Sequence, residues 1–425
     1  MPARSGWTVL RASQLIDGAG TPPVADPSVV VRDGRIHEIV SGEASGPRWP
    51  PEADVLDLRG QTLLPGLIDA HVHLVLPGDG TPFETTVREP QGVLAIAAAE
   101  NARRALAAGI TTLRDCGGMR DTTLDLRRAQ HLGGAAGPRL HLCGRPITIT
   151  GGHCWYFGGE ADGIEGMRAA VRRLIKSGVD YIKIMATGGG TVGTISWLPS
   201  YTAAELRAAV EEAHRLGRRV GVHSLCAAAT RQTLEAGADQ IEHANFLVDP
   251  GGRQEFEPDV ADAIARRGTP VTTTLSVGHY VIEALFAKDR RTPEEQATLD
   301  RWRRMLQNNL DQAGRLRAAG VRLIAGTDAG WRFTPFDGLV AEMELLCEAG
   351  ATASEAIASA TSAPAEAMGI AGETGALRVG LAADIIAVAG DPLADLAVLR
   401  RPAMVMRGGS VVHGGPGSRD GAGAR

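Results

Sequence analysis

The sequence predicts an α/β protein: a (β/α)8 TIM barrel with a small β-sandwich built from both chain ends. Three observations carry this. Eight short apolar runs alternate with Ala-rich helical stretches through the middle of the chain, as in a parallel barrel. Both chain ends read instead as short β-runs between turns. No Gly-x-Gly-x-x-Gly follows the first apolar run, which weakens a dinucleotide-binding, doubly wound sheet. The expected division is 1–62 and 369–415 for the sandwich, 63–368 for the barrel, and a Gly-rich disordered tail at 416–425.

Each part has its own signal. The first segment contains "WTVLRASQLIDG", "SVVVRDGRIHEIV" and "ADVLDLRGQTLLPG". Asp33-Gly34 between apolar flanks is a hairpin turn. The last segment, "ALRVGLAADIIAVAGDPLAD" and "PAMVMRGGSVVHGG", has the same texture. The barrel strands are "LIDAHVHL", "ITTLRDC", "RLHLCGR", "YIKIMAT", "RVGVHSL", "QIEHANFL", "PVTTTLS" and "VRLIAGTDA". Amphipathic segments such as "AAELRAAVEEAHRLG" separate most of them and end in Gly, a normal helix stop.

Bulk composition excludes several classes. The 425 residues suit one large domain and a smaller one. A net charge of −5 gives no footprint for nucleic acid or an anionic membrane. No apolar run approaches the ~20 residues of a membrane span, and the N-terminus lacks a signal-peptide core. The expected compartment is the cytoplasm. The five cysteines form no CxxC pair and are odd in number. They read as reduced thiols packed as small hydrophobes.

The chemistry sits at the C-terminal ends of the strands, where barrel active sites lie. His71 and His73 end strand 1, and residues i and i+2 of a strand share a face. Lys183 lies in strand 4, His223 ends strand 5, His243 is on strand 6, and Asp328 ends strand 8. Singly, a histidine here is a hydrogen-bonded core residue and Asp328 a turn or cap residue. Together they are the donor set of a divalent metal pair, suited to zinc, with manganese, cobalt or nickel as alternatives. Lys183 stands out because the chain has 44 Lys plus Arg, of which only Lys176, Lys183 and Lys288 are lysine. An amine kept from water favours its neutral form. It can then add carbon dioxide to give a carbamate, whose two oxygens can bridge two cations. The expected sets are His71, His73, Asp328 and one carbamate oxygen, and His223, His243 and the other.

With these motifs in place, the chain resembles the amidohydrolase superfamily. "PGLIDAHVHL", "YIKIMATGG", "VHSLC", "IEHA", "GTDAG" and "GLAADIIAVAGDPLADL" carry the likeness. It is most similar to the imidazolonepropionase-like and Xaa-Pro or Xaa-Arg dipeptidase branch with a carboxylated lysine. The resemblance implies a metal-bearing barrel beside a β-sandwich and allows a homo-oligomer. Imidazolonepropionase itself is similar but uses one metal and lacks the bridging lysine. The dipeptidase branch usually carries a tyrosine two residues past the strand-5 ligand. This chain has Leu225 there, a departure from simple dipeptidases.

The expected reaction is hydrolysis of an amide-type C–N bond in a small molecule: a peptide-like compound, an N-acyl amino acid or another small amide or carbamate. A bridging hydroxide attacks the carbonyl, and Asp328 serves as general base and then acid. Rival readings are a lactonase or phosphotriesterase-type esterase, a mononuclear cyclic-amide hydrolase or deaminase, and a non-catalytic scaffold. His153, in "TGGHCW", is a candidate donor to an oxyanion or a substrate carboxylate, or else a packing residue. Trp155, Tyr156, Trp197, His279, Tyr280, Trp331 and Arg332 follow strand ends and are candidate substrate contacts. Their aromatic character suits an apolar or aromatic substrate moiety. Arg145 joins Arg332 as a candidate partner for a carboxylate. The segment 187–200 reads as a flap carrying Trp197, or as a static Gly-rich loop.

Overall fold

The computed structural model describes residues 6–42 and 49–415, so the tail expected at 416–425 lies outside the described residues. The barrel strands are Leu67–Val72, Ile110–Asp115, Arg139–Leu142, Tyr181–Met185, Arg219–Ser224, Gln240–His243, Val271–Thr272 and Leu323–Ile324. Each falls inside one of the eight runs read from the sequence. Strands 4 to 8 pair in sequence order in one sheet and strands 1 to 3 in another. Parallel bridges from Val72 to Ala329 and from Ile147 to Ile184 join the two into a ring.

Register positions the site. Gly221 lies beside Lys183, and two residues further along His223 lies beside Glu242 across strands 5 and 6. Helices Gly163–Ser177 and Ala203–Arg215 cover strands 4 and 5. The first buries Met167, Ala170, Val171 and Leu174, the i, i+3, i+4, i+7 stripe of an amphipathic helix. The second starts at a capping box in which Thr202 and Glu205 each satisfy the other's backbone amide. Their apolar faces close over Ile182, Ile184, Val220 and Val222, all buried.

The chain separates into two compact units. One comprises 1–68, 103–112 and 352–425; the other comprises 69–102 and 113–351 and holds every candidate site residue. In the first unit, Trp7–Leu15 pairs antiparallel with Pro27–Arg32 and parallel with Asp54–Pro65. Asp54–Pro65 in turn pairs antiparallel with Ile385–Ala389. Both chain ends therefore share one sheet, and Leu10, Val29, Leu63, Ile385 and Met404 form its core. Asp33 (φ 51°) and Gly34 (φ 79°) make the hairpin turn between Pro27–Arg32 and Arg35–Ser41, both in the left-handed conformation of a type I′ turn.

Candidate metal centre and substrate cavity

His71, His73, Lys183, His223, His243 and Asp328 converge on one cavity of about 660 Å³. Neighbouring imidazoles lie close: ring centroids are 5.5 Å apart for His71 and His73, 5.2 Å for His71 and His243, and 4.7 Å for His223 and His243. Asp328 Oδ1 is 3.3 Å from His73 Nε2 and 3.7 Å from His71 Nε2.

Hydrogen bonds behind the rings fix which nitrogen faces inward. His73 Nδ1 donates to the Gly117 carbonyl at 3.0 Å, leaving Nε2 with its lone pair toward the cluster. His71 Nδ1 donates to Glu242 Oε2 at 3.1 Å, with the same result. His223 is reversed: Nε2 donates to the Gly188 carbonyl at 3.0 Å, so Nδ1 is its free donor. His243 Nδ1 bonds Thr274 Oγ1 at 2.8 Å. Such partners orient metal-binding imidazoles and set their tautomers.

Electrostatics agree with a cation-binding site. Burial pushes His223 well below the ordinary histidine value, with help from the charges of His243 and Lys183. Burial, then the charge of His71, lowers His243 to about 3. These rings are neutral lone-pair donors at pH 7. Burial alone would lower His71, yet the negative charges of Cys116 and Asp328 raise it to about 10. A metal ion and a proton compete for such a nitrogen. Burial opposes ionisation of Asp328, but His71 and His73 hold it well below the carboxylate range.

Among the candidate ligands, two buried atoms, Lys183 Nζ and Asp328 Oδ1, have no hydrogen-bond partner among the described residues. Lys183 is 0 % exposed, and its nearest carboxylate oxygen is Glu242 Oε1 at 3.8 Å. An orphaned amine and an orphaned carboxylate oxygen beside the neutral imidazoles of His223 and His243 fit divalent cations with oxygen and nitrogen ligands. Two triads of potential donors share His71: His71, His243 and Asp328, and His71, Cys116 and Glu242.

Backbone strain concentrates here too. His243 (φ 76°), Thr274 (φ 51°), Asp328 (φ 59°) and Cys154 (φ 61°) are left-handed although none is glycine. Each costs roughly 1–3 kcal/mol. Asp328 is held by its amide on the His71 carbonyl at 2.7 Å. Beneath it, Asp69 accepts from Thr327 Oγ1 at 2.6 Å and from the amides of Thr327 and His71, tying strand 1 to the segment that carries Asp328.

The floor of the site was not foreseen. Glu242, fully buried, accepts from Arg114 Nη1 at 2.7 Å. Burial opposes its charge, but Lys183 and Arg114 hold it well below the glutamate range. The Arg114 guanidinium stacks on Tyr181 at 4.0 Å. Gly221 leaves the room: a Cβ there would lie 2.3 Å from Arg114 Nη2 and 3.0 Å from Glu242 Oε1. The signal was in the sequence, since "TTLRDC" and "QIEH" bury charges inside apolar strands just as "YIKIM" does.

Among the expected substrate contacts, His153, Tyr156, Trp197, Trp331, Arg332 and also Leu225 line the cavity. His153 is buried, 4.7 Å from the His223 ring, with Nδ1 2.8 Å from Thr191 Oγ1. Three expected residues do not line it. Trp155 points outward from a short 3-10 turn and is 47 % exposed. His279 turns toward Glu283 at 3.3 Å, and Tyr280 packs toward Gly338. In helix Ser276–Phe286 it is Val277 and Gly278 that face the cavity, and 100° per residue carries the next two away. Arg145 lies off the cavity, 3.4 Å from Asp121. Segment 187–200 is tied by the Gly188 amide on the Ile195 carbonyl and by a Thr187–Pro199 bridge. Gly189 and Gly190 let it pass His153 and Trp331, whose rings would lie 2.5 and 2.4 Å from added Cβ atoms.

A barrel with convergent histidines and a buried carboxylate, in a chain whose two ends share a β-sheet, defines a metal-dependent hydrolase acting on C–N bonds. The chain belongs to the amidohydrolase family, whose profile matches residues 62–412. It is 28% identical over 458 residues to the ochratoxinase of Aspergillus niger, covering 97% of this chain and 88% of that protein. It is 27% identical to the imidazolonepropionase of Rhizorhabdus wittichii, covering 89% of this chain and 92% of the relative. A crystal structure of a Xaa-Pro dipeptidase with bound methionine in the active site superposes with a TM-score of 0.82 at 30% identity, covering 96% and 100%. Among the described residues, no helix is long and apolar enough to cross a membrane.

Proposed function

We propose that this chain is a binuclear amidohydrolase that cleaves a small N-acyl amino acid or peptide-like amide with an apolar or aromatic moiety. The observation that carries the reading is Lys183: a fully buried amine without a hydrogen-bond partner, within the ring of inward-facing imidazoles. Its carbamate would form by addition of carbon dioxide to Nζ with release of a proton. One ion would take His71, His73, Asp328 and one carbamate oxygen; the other would take His223, His243 and the second oxygen. Zinc suits this donor set. Cys116 and Glu242 remain beneath the site in this reading, because Arg114 already occupies Glu242 and lies 3.8 Å from Cys116 Sγ.

Two bound divalent cations supply a nucleophile from water at neutral pH and polarise a carbonyl oxygen. The chain's own residues do the rest. Asp328, ionised and with Oδ1 unpartnered, takes the proton of the attacking water on that oxygen and returns it to the leaving nitrogen. Thr191 Oγ1 accepts from the Cys154 amide at 3.0 Å, and we infer that its hydroxyl proton points at His153 Nδ1, 2.8 Å away. His153 then carries its ring proton on Nε2 and donates it to the developing oxyanion. Trp331, Tyr156 and Leu225 hold the apolar part of the substrate and exclude water. The similarity to ochratoxinase and to a Xaa-Pro dipeptidase supports an amide of an amino acid. Leu225 favours an apolar group where dipeptidases place a tyrosine.

The test is a screen of N-acyl amino acids, dipeptides, lactones and phosphotriesters with zinc-loaded, bicarbonate-treated protein. Amide cleavage abolished by Asp328→Asn supports the reading. Turnover confined to lactones or phosphotriesters overturns it.

A further inference from the structure

We propose that Arg301 and Arg304, on the helix Pro293–Ala318, select substrates bearing a carboxylate at the end remote from the scissile amide. The inference deepens the proposed function, and its binding test does not depend on turnover.

The cavity lining includes a buried polar cluster, a set of apolar side chains and an exposed pair of arginines. The polar cluster is that of the histidines. The apolar side chains are Leu225, Leu247, Val277, Trp302 and Met305. The helix Pro293–Ala318 presents Arg301 and Arg304 to the cavity, both exposed. Residues i and i+3 of a helix emerge on one face, so the two side chains leave the helix on the same side.

The other nearby arginines are committed. Arg253 bonds Asp249 at 2.9 Å. Arg303, on the same helix, lies 4.0 Å from Asp300 and packs over Phe286 at 5.8 Å. Arg332 lies over the rings of Trp302 and Trp331 at 5.4 and 5.5 Å. Arg301 and Arg304 alone of these have no ion pair or hydrogen bond among the described residues.

The helix that carries them is anchored to the cavity rim. Asn309 Oδ1 accepts from Asn245 Nδ2 at 3.1 Å and from Gln254 Nε2 at 2.6 Å. The carboxylates that line the cavity are Asp249, held by Arg253, and Asp328 in the buried cluster. Two unpaired guanidinium groups on one side of a fixed helix therefore face whatever substrate group reaches the rim. A planar fork of donors matches a carboxylate in two parallel hydrogen bonds. A carboxylate relieves the mutual repulsion of the arginines, a neutral group does not, and a cation adds to it.

The test uses calorimetric titration of the full-length, metal-loaded protein with 4-phenylbutyrate and with 4-phenylbutanol, which share an apolar body and contain no cleavable amide. The wild type is expected to bind the carboxylate at least tenfold tighter than the alcohol, with the ratio shrinking as salt rises. The R301Q/R304Q variant is expected to bring the ratio near one, and R301K/R304K to restore part of it. A carboxylate held only by the deep site would keep its preference in R301Q/R304Q, and that result overturns the proposal. So does a wild type without preference. If the preference follows the arginines while no amide is cleaved, the proposed reaction fails and this inference stands.

Discussion

Removing Arg114 tests whether the floor of the site works as a matched ion pair. The Arg114→Met variant leaves the Glu242 carboxylate at 0 % exposure with His71 Nδ1 at 3.1 Å and Lys183 Nζ at 3.8 Å as its remaining partners. Breaking one side of a buried pair costs roughly 3–5 kcal/mol, because the other charge stays behind unpaired. The cation–π contact of Arg114 with Tyr181, at 4.0 Å, is lost as well. At about 1 °C per kcal/mol for a chain of 425 residues, the melting temperature should fall by about 3–5 °C. The double variant R114M/E242L removes both charges and fills the volume with apolar atoms, so it should recover most of that loss. It should nevertheless bind metal roughly 10–100-fold more weakly, since His71 has lost the acceptor that orients it. The assays are thermal unfolding, urea unfolding and competitive chelation on the four proteins of the cycle. A single variant within about 1 kcal/mol of wild type, or a double variant no more stable than the single, refutes the reasoning.

Other consequences follow from individual contacts. Asp328→Asn should lower kcat by roughly 10²-fold or more while metal content changes little; equal turnover would remove Asp328 from proton transfer. Gly189→Ala places a methyl 2.5 Å from His153 Nε2, so the ring must shift, and kcat/KM should drop on the order of 10²-fold with folding intact by circular dichroism. Burial, then the charge of Arg114, lowers His141 from 6.5 to about 3, where it stacks on Tyr181. The unfolded chain therefore takes up a proton that the folded chain refuses as pH falls from 6.5 toward 3, and folding stability declines across that window. Between pH 7.5 and pH 5 the loss is about 2 kcal/mol from this residue. His141→Asn should flatten that slope in urea midpoints measured at both pH values; an unchanged slope would show that other groups set it.

The barrel was legible because its strands are buried runs with their chemistry at one end. "LIDAHVHL" becomes Leu67–Val72, buried along its whole length, and the two-residue repeat of a strand sends both His71 and His73 to the cavity. The hairpin at Asp33-Gly34 was legible because few dipeptides tolerate two consecutive left-handed residues. The two buried charges in the floor of the site were legible singly but their pairing was not, because Arg114 and Glu242 lie 128 positions apart and meet only in the space at Gly221. Aromatics past strand ends misled in part. Position along the chain cannot say which way a helix is rotated, and Trp155, His279 and Tyr280 turned away where Val277 and Gly278 turned in. The helix Pro293–Ala318 was invisible as a cavity wall, because its polar sequence gives no sign that Trp302 and Met305 face inward.

The most direct test of the central claim is metal content per chain, by elemental analysis of protein made with added zinc and bicarbonate, compared with Lys183→Met. A bridging carbamate predicts about two metal ions per chain in the wild type and one or fewer in the variant. One ion per wild-type chain, or two ions retained without Lys183, contradicts it.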